Sequence, residues 1–180
     1  MIIVEGPDNS GKSTLIKQLK TELGLTEIPR VAHGPANGAR DLWRRTYQII
    51  DSVTKAKSHR IILDRFTLIG EDIYGPVLRN VNLWDKMPQE KIKFWKAVNL
   101  LNPFIIYCRP PEDIIMDMDH HVIKEYDTLE HIKKVNERQG LIIHAYDNYF
   151  ANWKPYNFFR YNYKNPDSYN QLKIALKEYL

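Results

Sequence analysis

Eight residues near the start of this 180-residue chain have the types and spacing to hold phosphate. Gly6-Pro7-Asp8-Asn9-Ser10-Gly11-Lys12-Ser13 fits G-x-x-x-x-G-K-[ST] in full, with an apolar run before it and a stretch of helical period after it. The glycines allow a tight curl in which successive backbone N–H groups point at phosphate oxygens. The helix starting near Lys12 adds the positive end of its dipole. A lysine at this spacing bridges the outer phosphates of a nucleoside triphosphate, and the following hydroxyl can ligate magnesium. Gly6, Asn9, Ser10, Gly11, Lys12, Ser13 and Thr14 are therefore the expected residues around ATP, with Ser13 on Mg2+.

A phosphate loop of this kind needs a carboxylate on the magnesium side. Arg60-Ile61-Ile62-Leu63-Asp64-Arg65 supplies it, as an apolar strand that delivers Asp64 and Arg65 together at its carboxyl end. Ligands of open α/β sheets collect at that end. Asp64 can hold the metal or accept a proton, and Arg65 can clamp a phosphate through its planar fork.

The elements positioning these groups alternate in period. Residues 1–5 (MIIVE), 28–33, 61–63, 104–108 (FIIYC) and 157–163 read as strands. Between and after them, residues 13–23, 41–57, a segment opened by Pro88 and carrying Ile92, Trp95 and Val98, and residues 167–180 have helical spacing. A long helix through Ile132, Val135, Ile142 and Tyr149 is expected after a capping box at Asp127 and Glu130. Strands separated by helices argue an α/β fold, a parallel sheet covered on both faces by one domain.

Composition narrows the class. With Cys108 as the only cysteine, no disulfide or cysteine-ligated zinc site forms within the chain. No run of about 18 apolar residues could span a membrane. MIIVEG has neither a basic start nor a cleavable apolar run, so a cytoplasmic setting is expected. A net charge of +4 over 26 cations is mild and does not announce a nucleic-acid binder. Nine aromatic residues fall between Tyr146 and Tyr163, mostly on the expected long helix and last strand, where they read as edge packing.

The segment Glu5-Gly6-Pro7-Asp8-Asn9-Ser10-Gly11-Lys12-Ser13-Thr14 is similar to the N-terminal signature of thymidylate kinases and their P-loop relatives, the deoxynucleoside kinases. Asp64-Arg65-Phe66 resembles the Asp-Arg-Tyr motif on the third strand of thymidylate kinases, and Tyr74-Gly75-Pro76-Val77-Leu78-Arg79 resembles phage-encoded members. The resemblance implies a three-layer P-loop fold, five parallel strands in the order 2-3-1-4-5, and a kinase using ATP and Mg2+. It places Asp8 near the acceptor and Arg65 on acceptor or transferred phosphate. It also implies a lid near residues 110–127, an adenine neighbour at Asn165, and a homodimer.

The chain departs from that pattern in its arginines. The loop position that carries arginine in many thymidylate kinases holds Asn9, and residues 110–136 contain only Lys124, Lys133 and Lys134 as cations. Arg109 and Arg138 are the available substitutes. A deoxynucleoside monophosphate is the expected acceptor. The alternative is an alcohol, either a deoxynucleoside or a hydroxymethylpyrimidine in phage DNA, which needs fewer arginines and a base such as Asp64. A regulatory P-loop ATPase or GTPase is the reading of another class, although Asn162-Tyr163-Lys164-Asn165 lacks the Asp of guanine-specific switches. His33, Arg44, Phe66, Tyr74, Arg79 and Arg109 complete the expected acceptor contacts, with Phe66 and Tyr74 as base-stacking candidates. Arg40 shares a helix face with Arg44, and His120-His121 reads as surface.

Overall fold

The computed structural model describes residues 1–28, 38–56, 58, 60–117, 129–153 and 155–180. Five strands, β1 (Ile2–Glu5), β2 (Thr26–Ile28), β3 (Ile61–Asp64), β4 (Phe104–Cys108) and β5 (Asn157–Tyr161), form one sheet. Its order is β2-β3-β1-β4-β5, every pair is parallel, and this is the order expected from the sequence. The inner strands β1, β3 and β4 are buried along their whole length, which is why they read as continuous apolar runs.

Alternate side chains build two cores. Ile3, Leu63 and Ile105 face one layer, containing α2 (Gly38–Ala56), α3 (Thr67–Arg79), α4 (Pro88–Leu100) and α7 (Gln139–Asn152). Ile2, Val4, Ile62 and Ile106 face the other, with α1 (Lys12–Leu23) and α8 (Ser168–Tyr179). The described residues also hold the short α5 (Glu112–Met116) and α6 (Leu129–Glu137), and a 3-10 turn at Leu83–Lys86. Register aligns the strand ends that matter: Val4 lies opposite Asp64, Glu5 opposite Tyr107, and Cys108 opposite Tyr161. The phosphate loop, Asp64 and Arg109 thus leave the sheet at one edge.

Several elements differ from expectation. The described part of the second strand is Thr26–Ile28, starting two residues before the expected 28–33, and residues 29–37 lie outside those described. The long helix is two, α6 and α7, interrupted at Arg138 (φ −114°, ψ 12°). The expected cap at Asp127 lies outside the described residues, as do 118–128 of the lid. β5 stops at Tyr161, and Ile92 is exposed while Phe94 and Val98 carry the buried side of α4. Helix α3 has no counterpart in the sequence reading. Gly70, Gly75 and Pro76 lie within it and suppress its local signal, yet Leu68, Ile69, Ile73 and Leu78 bury one face.

Trp84, fully buried, meets Phe94 edge-on at 5.8 Å between ring centroids. Trp84→Ala is expected to lower stability by about 3–5 kcal/mol. A urea midpoint within error of the wild-type value would show that this indole is not part of the core.

Candidate active site

The residues between β1 and α1 form a tight loop. Gly6 has φ 145°, and a Cβ there would lie 2.6 Å from the Cys108 carbonyl oxygen. Gly11 has φ 81°, and a Cβ there would lie 2.9 Å from the Tyr163 ring. Asn9, at φ 60°, completes the curl. No side chain caps α1, so the amides of its first turn are available to a ligand. Lys12 is buried and donates to the Pro7 carbonyl and to Ser10 Oγ at 3.3 Å, holding its ammonium inside the loop. Burial, and then the neighbouring charge of Arg65, push its pKa down to about 8. Ser13 and Thr14 are exposed beside it, and Asp64 ends the adjacent strand, nearly buried.

Arg65 follows Asp64 with φ 67°, a left-handed conformation that L side chains rarely adopt. The turn directs its guanidinium back over the loop. Nη2 lies 2.9 Å from Asp8 Oδ1, 2.6 Å from the Tyr74 hydroxyl oxygen and 3.1 Å from the Gly6 carbonyl oxygen. The Tyr74 hydroxyl donates to Asp8 Oδ2 at 2.9 Å. Burial would favour the neutral form of Arg65, but Asp8 first, and then Tyr74, Tyr146 and Asp64, together outweigh it and keep the guanidinium charged. Asp8, Arg65 and Tyr74, expected separately around the acceptor, therefore form one hydrogen-bonded group at the loop.

Three further residues support this group. Glu5 is fully buried and accepts from the Phe66 N–H at 2.7 Å and from the Tyr146 hydroxyl at 3.0 Å. Its burial outweighs those bonds and pushes its pKa up to about 7. Gln139 donates to the Asp8 carbonyl at 2.8 Å from the first turn of α7. Tyr163 covers Gly11. Gln139 and Tyr146 are 131 and 141 residues from their partners, so no local pattern marks them. Glu5 carries the one available signal, an acidic residue closing an otherwise apolar strand.

Other expected contacts are placed differently. Phe66 is 0% exposed and meets Trp95 edge-on, so it is core and presents no face to a base. Tyr74 has its hydroxyl in the Asp8–Arg65 group and its ring beneath the Arg65 guanidinium, 4.8 Å from Cζ to centroid. Arg44 pairs with Asp41 on α2, its side chain 63% exposed. Arg79 pairs with Glu71 within α3. Arg109 forks onto Asp147, with Nε 3.1 Å from Oδ1 and Nη2 2.9 Å from Oδ2, and Tyr107 adds a third bond to that carboxylate. Burial of Asp147 opposes its ionisation, but the bonds from Arg109 and Tyr107 prevail and hold its pKa below the usual range. Arg138 donates to the Val77 carbonyl. Each of these arginines has a carboxylate or carbonyl partner within the protein.

Asn9 uses its amide on α5, donating to the carbonyls of Ile114 at 3.0 Å and Asp117 at 2.6 Å. Asn165 Oδ1 accepts from the Asp167 N–H, which shapes the turn before α8. His33 and His120-His121 lie outside the described residues. The aromatic cluster is edge packing in part. Tyr107, Tyr146, Phe150, Trp153 and Phe158 form a chain of ring contacts, whereas Tyr156 is 94% exposed.

The lowered pKa of Lys12 gives a pH dependence with a definite sign. Below about pH 8 the ammonium is charged and attracts phosphate; above it the neutral amine does not. If the loop holds phosphate, affinity for an added nucleoside triphosphate should fall as pH rises through 8, and binding at pH 8 should take up a proton, measurable by calorimetry in buffers of different ionisation enthalpy. The same affinity at pH 7 and 9 would refute the assignment.

Neither a protein-family model nor a curated protein sequence matches the chain. Solved structures do. The YorR protein of Bacillus subtilis, in complex with phosphorylated GDP, is 18% identical with a TM-score of 0.64, over 98% of this chain and 95% of that one. Deoxyadenosine kinase from M. mycoides with bound dCTP is 17% identical with a TM-score of 0.54, over the full length of both chains. The same enzyme with bound dATP is 20% identical with a TM-score of 0.53, over 98% of each. At such identities the likeness is one of fold, and the chain has the P-loop kinase fold, with its sheet order β2-β3-β1-β4-β5 and helices on both faces.

Proposed function

We propose that the chain is an ATP- and magnesium-dependent phosphotransferase acting on a nucleotide or nucleoside. The observation that carries this reading is the phosphate loop. Its backbone curls through positive φ at Gly6, Asn9 and Gly11, its two glycines stand where a Cβ would collide, and its lysine is held inside. Structures that share the fold, a deoxyadenosine kinase with bound dATP among them, support the same reading.

The residues fit the implied cofactors. The loop amides and Lys12 would hold the outer phosphates of ATP, and the exposed Ser13 with the buried Asp64 would hold magnesium. When bound, the metal would neutralise charge developing on the transferred group. The protein's own contribution is positioning and fixed charge, because phosphoryl transfer asks little covalent chemistry of it. Lys12 and Arg65 supply cations, and Asp8, braced by Arg65, Tyr74 and Gln139, places the acceptor.

A deoxynucleoside monophosphate is the acceptor that the motifs favour, with Arg65 as its phosphate contact. A second reading, transfer to the hydroxyl of a nucleoside or of a modified base in DNA, is favoured by one observation. Arg44, Arg79 and Arg109 are each paired with a carboxylate, which leaves little positive charge for an acceptor phosphate. In that case Asp64 is the base candidate.

Radiolabelled ATP with a panel of deoxynucleoside monophosphates, nucleosides and modified DNA decides between them. Label entering a monophosphate supports the first reading, and label entering only nucleosides or DNA replaces it with the second. ATP hydrolysis that no acceptor stimulates would reject both. Lys12→Ala should abolish transfer while keeping a cooperative melt; near-wild-type turnover by that variant would reject the assignment of the loop.

A further inference from the structure

Arg65 reaches Asp8, Tyr74 and Gly6 only because its backbone adopts the left-handed turn at φ 67°. A strained residue persists where its surroundings over-determine it. Here two hydrogen bonds flank it. On one side the Arg65 N–H donates to the Val4 carbonyl at 2.9 Å, continuing the β1–β3 ladder for one residue past the strand. On the other side the Phe66 N–H donates to Glu5 Oε1 at 2.7 Å. The second bond has no backbone equivalent. A side chain reaches from the end of β1 to fix the residue immediately after the turn.

We propose that Glu5 is a positioning residue, whose carboxylate locks the turn that presents Arg65 to the phosphate loop. The lock closes on itself. The other oxygen of Glu5 accepts from Tyr146 of α7, and the Tyr146 ring packs edge-on against Tyr74 at 6.1 Å. Tyr74 in turn holds Asp8 and Arg65. One fully buried side chain thereby joins the root of the phosphate loop, the start of α3 and the middle of α7.

Such a carboxylate is a poor choice for stability alone. Its burial works against ionisation, and the charges and ionisable groups facing it are Lys12 of α1, Arg65, Cys108 of β4, and Tyr146 and Tyr149 of α7. Buried ionisable groups retained at such a cost concentrate at functional sites. What Glu5 offers that an apolar residue does not is a pair of acceptors at the right reach for two donors on different elements.

The consequence for turnover rests on the phosphotransferase reading above, but the lock can be judged without turnover. Two variants separate reach from charge. Glu5→Gln keeps the length and one oxygen for the Phe66 N–H but loses the charge; Glu5→Asp keeps the charge but is one methylene short. Both are checked for cooperative melting. If Glu5 acts by holding the turn, Glu5→Gln stays within about threefold of wild type in kcat/KM for the acceptor, and Glu5→Asp falls by at least about tenfold, the range expected for one hydrogen bond to a charged group. The KM for Mg-ATP should change little in either. Phe66 amide exchange, followed by NMR, should stay slow in Glu5→Gln and accelerate in Glu5→Asp. Equal exchange in all three proteins, or Glu5→Asp outperforming Glu5→Gln, would overturn the proposal. If the wild-type chain phosphorylates no acceptor, the phosphotransferase reading falls, and the exchange comparison still decides the role of Glu5.

Discussion

A guanidinium charge held over the phosphate loop is the constraint around which the rest of the site is arranged. Arg65 is buried, and burying a cation without partners is prohibitively unfavourable. The protein meets this with the Asp8 carboxylate, the Tyr74 ring and hydroxyl, and the Gly6 carbonyl. Those partners come from two stretches of chain, the loop after β1 and helix α3, and need both in register with the end of β3. The parallel pairing of β1 with β3 provides it, because Val4 opposite Asp64 puts Gly6 and Arg65 side by side at the sheet edge. The backbone strain at Arg65 is the local cost of that arrangement, of order 1–2 kcal/mol for a left-handed L residue.

Charge elsewhere is managed by pairing. Asp147 collects Arg109 and Tyr107, with Arg160 at 3.7 Å, and Asp41 collects Arg44 and Arg45. A net charge of +4 therefore says little about the site. Arg65 and Lys12 do converge on the loop: after burial, the charge of Arg65 is the second cause of the low pKa of Lys12. An anion entering the loop would relieve that repulsion, which is why two cations so close together favour phosphate more than either would alone.

What the sequence made legible was local or strongly patterned. The phosphate loop is eight contiguous residues, the strand ending in Asp64 and Arg65 is a short apolar run, and alternation of strands and helices leads to the observed sheet order. Phe66 was misread because an aromatic beside a catalytic motif looks like a stacking residue, whereas the turn at Arg65 sends the next side chain inward to Trp95. Arg109 looked available because its carboxylate partner, Asp147, lies 38 residues away, whereas Arg44 and Arg79 are paired locally with Asp41 and Glu71. Gln139 and Tyr146 carry no local signal for the same reason as Arg109, being 131 and 141 residues from their partners. Helix α3 was missed because Gly70, Gly75 and Pro76 argue against a helix, and tertiary burial overrides them.

The separation between Glu5 and Tyr146 has a meaning for synthesis as well as for structure. At about 5–20 residues per second, the phosphate loop leaves the ribosome several seconds before α7 does. In that interval the loop and β3 are present, but the groups from α7 that brace Asp8 and complete the environment of Glu5 are not. The nascent chain thus carries a complete phosphate-binding motif in an incomplete setting. The partners of Asp8 and Glu5 are complete only once the last quarter of the chain has been made.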